Sequence, residues 1–338
     1  MKKISVIILN WNGRELLECF LPAVLAHTPA DIAEIVVADN GSDDDSVEVL
    51  KKLFPTVRRL VFDRNYGFAE GYNRALAETQ TDYTVLLNSD VEVTHGWLDA
   101  PLALLETDKT VAAVQPKILS YKNRNRFEYA GAAGGFIDIY GYPYCRGRVM
   151  SEIEDDAGQY DQQADILWAT GACLFVKTEL YRQVGGLDSV FFAHQEEIDL
   201  CWRLRSRGYR VVCTPQSVVY HVGAATLNYE SPHKTFLNFR NNLLCLFKNL
   251  PEADLKRVML IRLMLDIIAA VKFLLEGHLH NALAVYRARR EYRRLKSQYI
   301  SVRRENLNKT TLAVIPEVRR KCLLLDYYLK SKHKFSEL

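Results

Sequence analysis

Four short stretches carry side chains whose types and spacing could do chemistry together. Asp39 stands in Val37-Ala38-Asp39-Asn40-Gly41-Ser42, and Asp90 closes Asn88-Ser89-Asp90 with Glu92 two residues on. Glu196-Glu197-Ile198-Asp199 opens an amphipathic segment, and His221 follows Val218-Val219-Tyr220. A carboxylate just after a buried strand can accept hydrogen bonds from a base or a ribose, which suits Asp39. A nucleotide diphosphate concentrates negative charge, and Mg²⁺ or Mn²⁺ commonly bridges it to one or two carboxylates, which suits Asp90. Three carboxylates within four residues put a general base at the mouth of a site, and imidazole is a frequent metal ligand. Each has a plainer reading. Asp39 could belong to a turn, with Asp43 to Asp45 capping the next helix, and Asp90 could be a turn residue. The acidic cluster could merely complement a helix dipole, and a lone His is more often structural. A dinucleotide role for Asp39 needs Gly-x-Gly-x-x-Gly after the first strand, and Asn10-Trp11-Asn12-Gly13 does not supply it.

The elements that must position these residues are legible as apolar runs. Strand-like runs at 5–9, 34–38, 60–62 and 83–87 alternate with helix-like segments near 14–27, 45–54 and 68–78. Short apolar strands between amphipathic helices predict a mainly parallel sheet covered on both faces. In such sheets ligands bind at the carboxyl ends of the strands. That edge holds Asn10 to Gly13, Asp39 to Ser42 and Asn88 to Asp90. From about Ser120 to Asp165 the pattern loosens into Gly, Tyr, Asn and Arg, as in a binding loop or a lid. Regular structure resumes with a strand at 172–176, a helix near 196–207, and strands at 210–213 and 218–220. After Thr235 the chain reads as helical.

Composition narrows the class. Of 338 residues, 49% are hydrophobic and 25% charged, the balance of a folded domain. The seven cysteines form no Cys-x-x-Cys pair, so neither a zinc knuckle nor a disulfide framework is expected. Met1-Lys2-Lys3 leads straight into an apolar strand rather than a signal peptide, and a cytoplasmic setting is expected. The overall charge of +3 hides a division. From Leu255 onward 19 Lys and Arg face 7 Asp and Glu, whereas the preceding residues hold 25 and 34. A basic tail on an acidic body suggests an anionic neighbour. The apolar Leu255–Leu275 segment is broken by Lys256, Arg257, Arg262, Asp266 and Lys272. A span needs about 20 apolar residues, so a packed or interfacial helix is expected.

Taken in order, these motifs resemble glycosyltransferase family 2. The resemblance rests on Asn10-Trp11-Asn12-Gly13, Val37 to Ser42, Asn65-Tyr66-Gly67-Phe68-Ala69 with Asn73, and Leu86-Leu87-Asn88-Ser89-Asp90. It continues through Thr170-Gly171-Ala172-Cys173, Gly185-Gly186-Leu187-Asp188, Phe191-Phe192, Glu196 to Arg203, Gly208-Tyr209 and Tyr220-His221. It covers roughly residues 3 to 250 and is nearest to the rhamnosyltransferase-like members of bacterial polysaccharide synthesis.

The resemblance implies a GT-A catalytic domain over 1–250, an α/β fold with a mixed, mainly parallel sheet. Residues 251–338 would then form a basic helical region. It assigns Asn10, Asn12, Asp39, Asn40, Gly67, Asn73, Asn88, Asp90 and Arg240 to the donor, and Trp168, Gly171 and Asp199 to the acceptor. Asp90 and His221 would hold Mg²⁺ or Mn²⁺. The general base would be Glu197 or Glu196, because Glu197 stands where the family usually has Asp. The implied partners are a nucleotide-diphospho-sugar and a glycan or lipid-linked acceptor. The tail, with its Arg287–Arg294 cluster, would meet the anionic inner face of the plasma membrane or pack as a solvated basic helix. Two rivals are weaker. A sugar nucleotidyltransferase would carry a Gly-rich, basic loop after the first strand, and a nucleic-acid-binding protein would carry a recognition motif. This chain has neither.

Overall fold

The computed structural model describes residues 2–223 and 231–338. Its first half alternates as the apolar runs require: β1 (Ile4–Asn10), α1 (Arg14–His27), β2 (Ala33–Asp39), α2 (Ser46–Leu53), β3 (Arg58–Val61), α3 (Gly67–Ala77) and β4 (Tyr83–Asn88). β5 (Val91–Val93), α4 (Asp99–Thr107) and β6 (Val111–Ser120) follow. Four short strands come next, β7 (Gly135–Asp138), β8 (Pro143–Cys145), β9 (Arg148–Val149) and β10 (Glu152–Ile153). β11 (Ala164–Ile166), β12 (Cys173–Lys177), α5 (Thr178–Gln183), α6 (Glu196–Ser206) and β13 (Arg210–His221) complete the body that carries the main sheet. Then come α7 (Pro232–Asn249), α8 (Glu252–Leu275), α9 (Leu279–Leu295), α10 (Ile300–Asn308), β14 (Val318–Arg319) and α11 (Leu323–Lys330).

Among the described residues the main sheet runs β11-β13-β6-β12-β4-β1-β2-β3, with β5 beside β13. β4, β1, β2 and β3 are mutually parallel, whereas β12 is antiparallel to both β4 and β6. The sheet is therefore mixed and mainly parallel. Side chains alternate across it with the two-residue period of a strand. Ile4, Val6 and Ile8 join one core with Leu17, Leu21 and Val24 of α1. Ile7 joins the other with Ala69, Tyr72 and Leu76 of α3. Apolar burial on both faces fixes the register, because a one-residue slip would exchange the two cores.

The structure departs from the sequence reading in three places. Residues 210–221 form one strand with a register shift between Thr214 and Val218, not two strands. The loose stretch before Asp165 is a small sheet of order β10-β9-β8-β7-β14, in strands too short to show a period. Its last member comes from the tail. Contacts also cross the expected boundary at residue 250. Arg205 makes a buried ion pair with Glu317 at 2.6 Å, and Arg303 donates to the carbonyls of Phe247 and Leu250. Among the described residues no helix is long and apolar enough to cross a membrane.

Candidate active site

Strand register assembles one side of the site. β1 pairs Asn10 with Asp39 of β2 and Leu9 with Asn88 of β4, so three polar residues end neighbouring parallel strands at one edge. Asp39 is buried and well supplied with donors. Asn10 Nδ2 and Ser42 Oγ donate to Oδ2 at 3.0 and 2.6 Å, and the Ser42 amide donates to Oδ1 at 3.0 Å. An ionised carboxylate has about four acceptor positions, so roughly one on Oδ1 is left for a base or a ribose. Asn10 Oδ1 is buried with no partner among the described residues. Asn12 shapes the rim: its amide donates to Ser42 Oγ and its Oδ1 accepts from the Asp43 amide.

β5 carries the next turn of chain onto β13, pairing Val91 with His221. That brings His221 Nε2 to 3.1 Å from Asp90 Oδ1, with Asn88 Nδ2 3.5 Å away. Nδ1 lies 3.3 Å from Glu128 Oε2, an ionic contact to a buried carboxylate that sequence reading missed. Nothing in the spacing marks Glu128. It arrives through the β6–β7 connection, and its Oε2 also accepts the Ala130 amide. Burial opposes charge on Asp90, but His221 outweighs it and holds the carboxyl below its ordinary range. Burial likewise lowers His221, yet Glu128 and then Asp90 lift it to about 10.

Among the described residues no three His, Cys, Asp or Glu side chains converge to hold a metal by themselves. The pair that does converge would fit a hard divalent ion that displaces the Nε2 proton His221 otherwise keeps. Ligands at about 2.1 Å in neighbouring octahedral positions lie roughly 3 Å apart, and Asp90 Oδ1 and His221 Nε2 are separated by 3.1 Å. An imidazole whose other nitrogen faces a carboxylate is the usual supported ligand, and Glu128 stands there.

A second polar cluster lies at the segment entering α6, and Lys234 links the two electrostatically, since it feels Glu128 and lowers His194. Phe192, His194 and Gln195 all have positive φ, at 65°, 70° and 74°. Such conformations cost about 1–3 kcal/mol each and persist only where the surroundings impose them. α7 imposes them. Asn241 Nδ2 donates to the carbonyls of Phe191, Ala193 and His194 at 2.8–2.9 Å. Arg240 donates to those of Val190 and Phe191, and Asn242 reaches Gln195 Oε1. The segment also docks on α3, where the Phe192 carbonyl accepts the amides of Phe68 and Ala69. Gly67, with φ of +79°, permits that approach, since a Cβ there would lie 2.4 Å from the Phe192 ring.

What the segment presents is a run of unpaired polar atoms. His194 Nε2, Glu196 Oε2 and Glu197 Oε2 are buried with no hydrogen-bond partner among the described residues. Burial, followed by repulsion from Glu197, pushes Glu196 far above the ordinary range. Burial lifts Glu197 to about 7, opposed by amides of the helix N-terminus. Burial and then nearby Lys234 and His233 lower His194 to about 4, so its imidazole is neutral.

Several residues expected to touch ligand are otherwise engaged. Asn40 spends its amide on Asn65, Gly67 and Tyr66, tying β2 to the start of α3. Asn73 donates to the Leu187 carbonyl and accepts from Tyr181 and the Leu187 amide. Arg240, expected at the diphosphate, is turned onto the 190–191 carbonyls and Asn241. Asp199 is wholly buried between Arg203, Lys248 and Asn249. Trp168 packs its ring on Gly135 and donates to the Phe136 carbonyl at 2.9 Å. Gly171 is buried against Phe68. These six build the frame around the site.

The mixed sheet, with Asn10, Asp39 and Asn88 at neighbouring parallel strand ends, is that of the GT-A glycosyltransferase fold. The chain belongs to the family described as Glycosyl transferase family 2, which matches residues 5–181. It is 26% identical over 227 residues to the O-antigen biosynthesis protein RfbC of Myxococcus xanthus, covering 66% of this chain and 18% of that protein. It is 25% identical over 236 residues to the N-acetylglucosaminyl-diphospho-decaprenol L-rhamnosyltransferase of Mycobacterium tuberculosis, covering 64% and 75%. The chain thus spans only a small part of RfbC, and 26% of a further relative from Sinorhizobium fredii. The solved structure of GalNAc-T7 with UDP, GalNAc and Mn²⁺ superposes with a TM-score of 0.58 at 16% identity, over 73% of this chain and 48% of that one. At that identity the likeness concerns the fold.

Proposed function

We propose that this glycosyltransferase moves a sugar from a nucleotide-diphospho-sugar to a hydroxyl of a lipid-linked glycan during cell-surface polysaccharide synthesis, with inversion at the anomeric carbon. The names of the rhamnosyltransferase and of RfbC support the acceptor and the pathway class. The observation that carries the chemistry is the orphaned carboxylate of Glu197. A buried acceptor atom without a partner costs free energy, and a substrate hydroxyl would supply the missing donor. With its carboxyl lifted to about 7, Glu197 is a stronger base than an ordinary glutamate yet still about half ionised near neutrality. It takes the hydroxyl proton as that oxygen attacks the anomeric carbon, and the bond from carbon to the diphosphate oxygen breaks. Burial and the neighbouring Glu197 push the Glu196 carboxyl well up, which disfavours a second negative charge in the pocket.

Asp39 and Asn10 would hold the nucleoside, and Asp90 with His221 would hold Mg²⁺ or Mn²⁺. Bound there, the ion supplies Lewis-acid stabilisation to the leaving diphosphate. Residues 1–250 form the catalytic unit in this reading, and the basic helical region 251–338 buttresses it. The test is Glu197→Gln. Transfer should fall by about 10²–10⁴ while nucleotide binding survives; near-normal turnover would reject the assignment.

A further inference from the structure

α8 carries a surface that sugar transfer does not explain. One side of this 24-residue helix is buried through Val258, Arg262 and Asp266, spaced four apart. The opposite side leaves Leu260, Met264, Ile267, Ile268, Val271 and Leu275 exposed. Their spacing is that of one helical face, and at 1.5 Å per residue it runs about 22 Å. Ile268 is 63% exposed and Leu275 85%, so these side chains are laid open rather than half-tucked. Past the turn, α9 adds exposed Leu279, Leu283 and Tyr286. A continuous apolar face of this length on a protein surface marks an interaction site.

Charge says what covers it. From Lys256 to Leu275 the one carboxylate is Asp266, and it is buried between Arg262 and Arg289. Lys256 and Arg257 stand exposed one turn before the apolar face, Lys272 stands beside Val271, and α9 exposes Arg287, Arg290 and Arg293. Arg257 is paired with Asp254 and Lys272 with Glu276. From Glu252 to Arg294 nine Lys and Arg still face five Asp and Glu, so a second copy seated here by two-fold symmetry would set one net positive surface against another. A bilayer rich in anionic headgroups offers the complement: acyl boundary for the apolar face and phosphate for its cationic rim.

We infer that α8 lies in the plane of an anionic lipid surface, its Leu260–Leu275 face sunk into the acyl boundary and its cations among the headgroups. The Arg287–Arg294 cluster is then an accessory to α8. In that cluster Arg289 is already paired with Asp266 and Arg294 with Glu291. α9 packs on α7, where Asn281 donates to Thr235 at 2.9 Å, and α7 in turn staples the segment that presents Glu197. Docking through α8 therefore anchors the helices that shape the catalytic loop. This inference stands apart from the sugar chemistry proposed above.

The test is sedimentation of the full chain with phosphatidylcholine vesicles, alone or mixed with an equal part of phosphatidylglycerol. The expected result is binding to the anionic vesicles that weakens with salt. The combined Leu260→Ser, Met264→Ser and Ile268→Ser variant should lose it by about tenfold or more. Lys256→Gln with Arg257→Gln should weaken binding less and flatten its salt dependence. An unchanged melting temperature and nucleotide affinity in each variant would show that the fold is intact. Absence of vesicle binding, equal binding of the triple variant, or a dimer that the triple variant dissolves without any lipid binding would each overturn the inference.

Discussion

The two sides of the site are built on opposite principles. At the strand edge, Asp39 is held by three donors within the protein, and His221 stands between the carboxylates of Asp90 and Glu128. Strand ends and the short connections beside them position its members. At the entry to α6 the backbone is forced through three positive-φ residues and the side chains end in unpaired atoms. In the proposed reading the first side, largely paired before ligand arrives, grips the donor. The second, in the same reading, is completed by a reactant and changes a proton's owner. Stored strain and orphaned polar atoms belong where chemistry happens, and the structure concentrates them at the entry to α6, with Asn10 Oδ1 and the positive φ of Asn12 as the smaller counterparts at the strand edge.

That contrast can be broken by substitution. The largest effect falls on the strained side: Glu197→Gln lowers kcat by about 10²–10⁴, measured by sugar transfer, with little change in nucleotide affinity. If nucleotide affinity fell as steeply as kcat, the division of labour would be wrong. Next is the frame beneath it. Asp199→Ala strands buried Arg203 and Lys248, costing about 3–5 kcal/mol in denaturant unfolding. A loss of acceptor KM with unchanged stability would restore Asp199 to the acceptor site. On the gripping side, Glu128→Gln weakens Mn²⁺-dependent nucleotide binding by about 10–100-fold through His221. Calorimetric titration with and without Mn²⁺ reads it, and an unchanged metal dependence would leave Glu128 a structural residue. The smallest effect is Asn73→Ala, which removes bonds between α3 and the 186–187 loop. It should cost about 1–3 kcal/mol of stability and leave nucleotide affinity unaltered.

The gripping side was far more legible from sequence than the strained side. Asn10, Asp39 and Asn88 follow short, continuous apolar runs of the kind buried on both faces of a parallel sheet, and register does the rest. Glu196 and Glu197 stand out as a carboxylate cluster, but nothing in the one-dimensional pattern says that burial pushes the Glu196 carboxyl well up and lifts Glu197 to about 7. Asn40, Asn73, Asp199 and Arg240 fall within recognisable motifs and yet point into the frame. Their partners lie up to 114 residues away, so only the folded chain shows where their hydrogen bonds go. Glu128 was missed for the same reason: it meets His221 across 93 residues of intervening chain. The small second sheet was hidden because strands of two to four residues carry no period, and its fifth member lies in the tail.

Protonation of Glu197 ties these threads together. Its carboxyl is raised from an ordinary 4.5 to about 7, so the proposed base is about half ionised at that pH and loses its charge below it. The folded chain then keeps a proton the unfolded chain has already released, and this contribution to stability fades as pH rises through 7. Activity runs the other way. The most direct measurement is the pH dependence of kcat/KM for the native chain beside Glu197→Gln. The native profile should rise about tenfold per pH unit on its acid side and level off near pH 7, and that limb should vanish from the residual activity of the variant. The same limb surviving in Glu197→Gln would show that another group carries the proton.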